Sequence, residues 1–243
     1  DKTLYVGGNL TAKSFAFNNT NAEINGDCTI QADSTNSRLS MIYESDYLLV
    51  KGNMLLANSY SPSYGNLTKG TVELKGDFVQ KGSYENYPET DDHRTIISGN
   101  SKQTISWEYP KSYNTFGKYL ELQNTDIEFA TPVYNLYLNQ DFTLENNETL
   151  TITNGLAMQG YNLSTANSIN AKCIYADGGD LTVGGELIVA GDMRNAGNTT
   201  ISKDVDVGNL SFASDKTLYV GGNLTTKSFA FNNTNAEING DCT

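Results

Sequence analysis

The chain repeats a short pattern: two apolar residues spaced by two, a glycine, then Asn, Asp or Glu, and a further apolar residue. Residues two apart point to the same face of a β-strand, so the pattern predicts short strands with one buried face. Glycine and Asn tolerate positive φ, so the polar pair predicts a corner after which the chain re-enters the core. The pattern occurs at residues 4–10, 22–28, 48–54, 72–78, 181–187, 187–193, 218–224 and 236–242.

Consecutive patterns in the first hundred residues begin 18 to 26 residues apart. That spacing is typical of one turn of a β-solenoid that contains two or three short strands. We therefore predict an all-β fold, a single continuous β-solenoid (parallel β-helix) with Gly-Asn or Gly-Asp corners. An ordinary β-sandwich is the alternative, because it also has short strands and Gly/Asn turns. It rarely places the same corner at so many strand ends.

A much longer repeat is also present. Residues 1–29 and 215–243 have the same sequence except at one position, which is Ala12 in the first copy and Thr226 in the second. The offset of 214 residues predicts a tandem array, in which residues 1–214 form one full solenoid period and residues 215–243 begin the next. No Pro-rich or Gly/Ser-rich linker separates the copies, so we expect about ten rungs per period without a break.

Composition and charge argue against two classes of function, nucleic-acid binding and insertion into a membrane. The formal net charge is −12 and the sequence pI is about 4.4. Nucleic-acid binding needs a basic surface, so we predict no nucleic-acid partner. No run of residues is long and apolar enough for a transmembrane helix, so we predict no membrane span in this segment. We also expect the acidic charge to keep the protein soluble.

Aromatic residues and proline concentrate in the middle of the period. Proline lacks the N–H that a strand ladder uses, so the Tyr-Pro segments predict loops that project from the solenoid. Exposed aromatic side chains there could stack on sugars or contact another protein. The equal alternative is that they fold down and cover a solenoid face. The candidate contact residues are Tyr60, Tyr64, Tyr84, Tyr87, Trp107, Tyr109 and Tyr113.

The remaining residues give only weak evidence for catalysis or metal binding. Cys28 follows a Gly-Asp corner where the equivalent residues are apolar, so we interpret it as a small buried core residue. A single histidine and no Cys-x-x-Cys pair predict no metal site and no cofactor. Asn124-Thr125-Asp126 and Asp91-Asp92-His93-Arg94 resemble motifs of polygalacturonase-like enzymes, but in reversed order. We therefore predict that the chain is not an enzyme, and we interpret Gly178-Gly179-Asp180 as a corner and not as a calcium repeat.

The repeated units resemble those of bacterial extracellular tandem-repeat β-solenoid surface proteins. The resemblance is carried by the Leu-x-Val-x-Gly-Asn-Leu unit, and by residues 96–106 (Ile-Ile-Ser-Gly-Asn-Ser-Lys-Gln-Thr-Ile-Ser) followed by the Leu-x-Leu strand of residues 120–122. It implies a secreted or surface-displayed stalk, filament or adhesin. The implied partners are the protein itself, joined end to end, and glycans or another surface protein. A carbohydrate-active β-helix enzyme, a sugar-binding module and a bactofilin-like cytoskeletal polymer are the alternatives.

Overall fold

A computed structural model describes residues 2–31, 38–57, 67–82, 92–109, 116, 119–145, 148–195, 197–213 and 215–243. These residues contain 26 β-strands and no helix. The chain divides into two compact units, Asp1–Val133 and Tyr134–Thr243. This division lies inside the predicted 214-residue period, so units and sequence periods are different partitions of the chain.

The strands of the first unit belong to parallel sheets. They are β1 (Lys2–Val6), β2 (Leu10–Ala12), β3 (Ser14–Ala16), β4 (Thr20–Ile24), β5 (Cys28–Gln31), β6 (Arg38–Ser40), β7 (Tyr47–Val50), β8 (Met54–Ala57), β9 (Thr71–Leu74), β10 (Phe78–Lys81), β11 (Arg94–Ile97), β12 (Gln103–Trp107), β13 (Tyr119–Leu122) and β14 (Ile127–Phe129). One six-stranded sheet has the order β1-β4-β7-β9-β11-β13 and a second has the order β2-β5-β8-β10-β12-β14. β3 and β6 form a separate pair.

The remaining strands alternate between two further six-stranded sheets. They are β15 (Val133–Tyr137), β16 (Phe142–Leu144), β17 (Leu150–Ala157), β18 (Leu163–Thr165), β19 (Ile169–Tyr175), β20 (Leu181–Val183), β21 (Leu187–Asn195), β22 (Thr199–Ile201), β23 (Val205–Phe212), β24 (Thr217–Val220), β25 (Leu224–Phe231) and β26 (Asn235–Ile238). Odd-numbered strands form one sheet and even-numbered strands the other, each in chain order.

Each turn of the chain therefore adds one parallel strand to each sheet. Ala22 pairs with Leu4 on one side and with Leu48 on the other, and Leu48 pairs onward with Val72. Inward side chains alternate with half-exposed ones, as in β7, where Leu48 and Val50 are fully buried. Stacked apolar residues and backbone ladders hold neighbouring turns together. The predicted fold class, an all-β parallel β-solenoid, is confirmed for both units.

The two copies of the long repeat have the same pairing. Leu4 pairs with Ala22 in the first copy, and Leu218 pairs with Ala236 in the second. Leu10 likewise pairs with Cys28, and Leu224 with Cys242. The pairs within the repeat are therefore the same in both copies, although residues 10–16 form two strands, β2 and β3, and the equivalent residues 224–230 lie in one continuous strand, β25.

The predicted reason for the corner glycines is wrong. Positive φ occurs at other glycines, Gly70, Gly82, Gly160 and Gly178, and not at the glycines of the repeated pattern. A Cβ atom at Gly76 would instead lie 2.4 Å from the carbonyl oxygen of Gly52, and a Cβ at Gly52 would lie 2.5 Å from the carbonyl carbon of Gly26. The corners need glycine because the backbones of successive turns approach too closely for a side chain.

One corner uses a buried glutamine. Gln103 is 1% exposed, and its Nε2 donates to the carbonyl oxygens of Leu74 (3.1 Å) and Gly76 (2.8 Å). Its Oε1 accepts from the backbone N–H of Gly99 at 2.6 Å. The side chain thus satisfies backbone groups that would be costly to bury without partners. This explains the Ser-Gly-x-x-x-Gln segment noted in the sequence.

Candidate functional site

The structure describes only some of the predicted contact residues, and these differ in exposure to solvent. Tyr60, Tyr64, Tyr84, Tyr87 and Tyr113 lie outside the described residues. Tyr109 follows β12 and is exposed (41%), so its ring is accessible from solvent. Its role as a contact residue stays a prediction.

Trp107 is not a surface contact residue, which corrects the sequence interpretation. It is the last residue of β12 and is 1% exposed. Its ring centroid lies 4.9 Å from those of both Phe78 and Phe116, and these two rings lie 5.1 Å apart. Gln103, Ile105 and Trp107 all face inward, so the period-2 pattern contained the signal for burial. Proximity to Pro110 suggested a loop instead.

Two residues of the enzyme-like motifs, His93 and Asn124, are buried, and Asp91 lies outside the described residues. His93 is 2% exposed, and its Nδ1–H donates to the carbonyl oxygen of Lys69 at 2.9 Å. Burial lowers the pKa of His93 to about 4, against the opposing effect of that hydrogen bond. The ring is therefore neutral at pH 7 and cannot reach a substrate in solvent.

Asn124, in the second enzyme-like motif along the chain, donates to Gln103 Oε1 and to the carbonyl oxygen of Ser101, and accepts from the N–H of Asp126.

Side-chain oxygens at the corners form a ladder along the first unit. At each corner the Oδ1 atom of the Asn or Asp accepts the backbone N–H of the equivalent residue one turn later. The bonds are Asp27 N to Asn9 (2.9 Å), Asn53 N to Asp27 (2.8 Å), Asp77 N to Asn53 (2.9 Å) and Thr104 N to Asp77 (2.7 Å). Each side chain satisfies a backbone donor that the β-ladder leaves without a partner at the corner.

The second unit contains two ladders of the same kind. One is Asn162 N to Asp141 (2.8 Å), Asp180 N to Asn162 (2.9 Å), Asn198 N to Asp180 (2.7 Å) and Thr217 N to Asn198 (3.2 Å). The other is Asn223 N to Asp204 (2.7 Å) and Asp241 N to Asn223 (2.8 Å). Asp180, the residue of the calcium-like segment, is therefore an ordinary corner residue.

Asn and Asp alternate in all three ladders. Successive turns of a parallel sheet are ~4.8 Å apart, so an Asp-only ladder would place carboxylates at that spacing. An Asn between two Asp residues doubles the separation of the charges and still supplies the acceptor oxygen. Sequence analysis missed this feature, although the order Gly-Asn, Gly-Asp, Gly-Asn, Gly-Asp at residues 8–9, 26–27, 52–53 and 76–77 contains it.

The outer face of the first sheet is covered by paired charges. Glu73 accepts from Ser98 Oγ at 2.6 Å and from the hydroxyl of Tyr47, and forms an ion pair with Lys75. Burial opposes ionisation of Glu73, but these hydrogen bonds outweigh it and hold its pKa below the usual range. Burial and the carboxylate raise the pKa of Tyr47. Arg94 similarly pairs with Glu121.

The end rungs expose apolar residues that are buried in their repeat copies. Leu4 is 39% exposed, whereas its equivalent Leu218 is 3% exposed. Conversely, Ile24 and Cys28 are fully buried, whereas Ile238 is half-exposed and Cys242 exposed. Burial of Cys28 confirms its interpretation as a core residue and raises the pKa of its thiol to about 12. The first and last rungs therefore form two surfaces, and we call them the head face (residues 2–12) and the tail face (residues 233–243).

Metal ligands and free thiols are the other features of the described residues that could form a site. No group of three or more His, Cys, Asp or Glu side chains is placed to hold a metal ion there. Cys28, Cys173 and Cys242 are free thiols. In the part of the chain that the structure describes, no helix that could cross a membrane is found.

The fold and the corner ladders define a parallel β-solenoid protein. Comparisons with protein-family models, with curated proteins and with solved structures gave no match to this chain. The class therefore rests on the architecture.

Proposed function

We propose that this chain is a structural repeat of a secreted or cell-surface fibre or adhesin, in which successive rungs provide rigid extension. One observation carries the proposal. In the 29-residue segment that recurs after 214 residues, the first strand pairs with the next turn in the same register in both copies. A period that ends in the register with which it begins can be followed by another period.

The stacking interactions support a mechanical role. Parallel backbone ladders, inward Leu, Val, Ile and Met side chains and the Asn/Asp ladders all act between one turn and the next. Stability in such an arrangement is approximately a sum of nearest-neighbour terms, so added turns do not weaken earlier ones. With about ten rungs per period and ~4.8 Å per rung, each added period lengthens the fibre by roughly 50 Å.

Contacts with other molecules would come from exposed aromatic residues. Tyr109 is exposed, and Tyr60, Tyr64, Tyr84, Tyr87 and Tyr113 remain candidates from the sequence. A glycan or a second surface protein is the expected partner, because tyrosine rings stack on sugars and are frequent in protein interfaces. The net charge of −12 keeps neighbouring fibres apart.

Proteins with one, two and three periods test the proposal. Small-angle scattering and electron microscopy should show a constant width and a length that grows by roughly 50 Å per period. A protein with a scrambled second copy of residues 215–243 is the control, and its length should not grow regularly. Particles that widen or become globular as periods are added would contradict a fibre.

A further inference from the structure

We propose that the first unit binds a neutral sugar in a cavity on the outer face of its first sheet, where strands β9, β11 and β13 begin. The inference rests on the proposed function for the class of partner, a glycan, and adds the site and the kind of sugar. The cavity has a volume of about 340 Å³ and is lined by Glu44, Gly70, Thr71, Asp92, Arg94 and Tyr119. Small-molecule sites have volumes of roughly 300–1,000 Å³, so this cavity has the size for one small ligand.

Three successive turns bring the lining residues together. Thr71, Arg94 and Tyr119 are the first residues of β9, β11 and β13, and they pair in register across the sheet. The next residue of each strand is buried, so these three side chains point outward. Two turn spacings, roughly 10 Å, separate Thr71 from Tyr119 along the sheet, and Arg94 lies between them.

The turn that contains Glu44 is held in place by a buried carboxylate. Asp46 is 1% exposed. Its Oδ2 accepts from the N–H groups of Ile42 (3.1 Å) and Tyr43 (3.0 Å), and its Oδ1 accepts from Thr20 N–H at 3.2 Å. These bonds compensate the burial of the carboxylate and fix the backbone on both sides of Glu44.

The next two turns are fixed in a similar way. Gly70 has a φ of 75°, and a Cβ atom there would lie 2.6 Å from the carbonyl oxygen of Asp46. The Gly70 carbonyl oxygen accepts from Arg94 N–H at 3.0 Å, and buried His93 donates to the Lys69 carbonyl oxygen at 2.9 Å. The cavity is therefore preorganised, and a ligand does not have to order the turns that form it.

The lining side chains have the chemistry that recognises a sugar. The Tyr119 ring is 46% exposed, and an aromatic face stacks on the apolar C–H face of a pyranose ring. Glu44 and Asp92 are exposed carboxylates, which accept hydrogen bonds from sugar hydroxyl groups. Arg94 pairs with Glu121 through one nitrogen, and a guanidinium has five N–H donors, so others can donate to sugar oxygens.

The charges around the cavity favour a neutral sugar over an anionic one. Arg94 is paired with Glu121, and Lys69 is paired with Glu44 at 3.0 Å. With Asp92, the group contains three carboxylates and two cations, a net charge of −1. A carboxylate on the ligand would be repelled, whereas a hydroxyl group can donate to the carboxylates of the protein.

NMR titration of the 243-residue chain with matched pairs of sugars is the measurement. The neutral probes are methyl β-glucoside and methyl β-galactoside. Their anionic counterparts are methyl β-glucuronide and methyl β-galacturonide, in which a carboxylate replaces the CH₂OH group. We expect at least one neutral probe to bind with a Kd on the order of 1 mM, and its anionic counterpart to bind at least about fivefold more weakly.

Four variants locate the binding site, with circular dichroism and urea unfolding as controls for the fold. Tyr119→Ala should weaken binding of the neutral sugar by about fivefold, whereas Tyr119→Phe keeps the ring and should bind as the parent chain does. Tyr109→Ala is the matched control, because Tyr109 is also exposed (41%) and does not line the cavity. The double variant Glu44→Gln/Asp92→Asn removes two charges and should remove most of the discrimination against the anionic sugar.

Several results would overturn this inference. They are failure of both neutral sugars to bind, tighter binding of the anionic sugars, no loss in Tyr119→Ala, an equal loss in Tyr109→Ala, and full discrimination in the double variant. The titration does not depend on the number of periods. If multi-period proteins lengthen regularly and no sugar binds, the proposed fibre function stands and only this inference fails.

Discussion

Replacement of Asn53 by Asp tests why the corner ladders alternate. Asn53 lies between Asp27 and Asp77 in the first unit. Its Oδ1 accepts the Asp77 N–H at 2.9 Å, and a carboxylate oxygen could accept the same bond. Asn53→Asp therefore keeps the hydrogen bond and changes the charge alone.

The expected destabilisation follows from the spacing of the turns. Two unit charges ~4.8 Å apart repel by about 0.9 kcal/mol in a medium with the dielectric constant of water. That dielectric constant is appropriate because Asp27 and position 53 are both exposed to solvent. The new carboxylate has two such neighbours, so we expect Asn53→Asp to lower the free energy of unfolding by about 2 kcal/mol at low ionic strength. The Debye length falls from about 10 Å at 0.1 M salt to about 3 Å at 1 M, so high salt should remove most of the loss.

Urea unfolding at neutral pH, in low and in high salt, measures this effect. Asn53→Ala is the control, because it removes the acceptor for Asp77 N–H without adding charge. Its loss of about 1 kcal/mol should be independent of salt. If Asn53→Asp is as stable as the parent chain in low salt, or if its loss does not respond to salt, charge separation is not the reason for the alternation.

Two further predictions concern the core of the first unit. Folding lowers the pKa of His93 from 6.5 to about 4, so on acidification the unfolded chain is protonated at His93 before the folded chain is. As the pH falls from about 6.5 to about 4, up to about 3 kcal/mol of the free energy of unfolding is therefore lost. His93→Asn keeps a donor for the Lys69 carbonyl and should flatten that part of the pH–stability curve from urea unfolding. Trp107→Ala should cost about 3–5 kcal/mol, and Tyr109→Ala about 0.5 kcal/mol, in the same assay; equal losses would contradict the burial of Trp107.

Period-2 alternation and the spacing of the glycine corners were sufficient to predict the parallel β-solenoid. Leu48 and Val50 show why, since both must face inward whichever turns lie beside them. The reason for the corner glycines could not be predicted in the same way. The local sequence alone suggests that Gly52 is present because it permits an unusual φ. The structure shows a different reason: the backbone of Gly26, in another turn, lies too close to leave room for a Cβ atom at position 52.

The candidate site was predicted less well than the fold. The nearby Pro110 predicts a loop at Trp107, although the alternation through Gln103 and Ile105 indicates an inward face. The ladders were also predictable in principle, because Asn and Asp alternate in the printed corners. Their role depends on distances between turns, and the sequence contains these only indirectly. The head and tail faces needed the structure, since Leu4 and Leu218 have the same local sequence and differ only in what covers them.

The two copies of the repeat share a strand register although different turns lie beside them. Leu4 pairs with Ala22 in the first copy and Leu218 pairs with Ala236 in the second, where Leu218 also pairs with Thr199 of the preceding turn. The register is therefore set by the local sequences of the two paired turns and not by the turn that precedes them. Because each turn of a solenoid contacts only its neighbours, the sequences of adjacent turns are sufficient to determine how those turns stack.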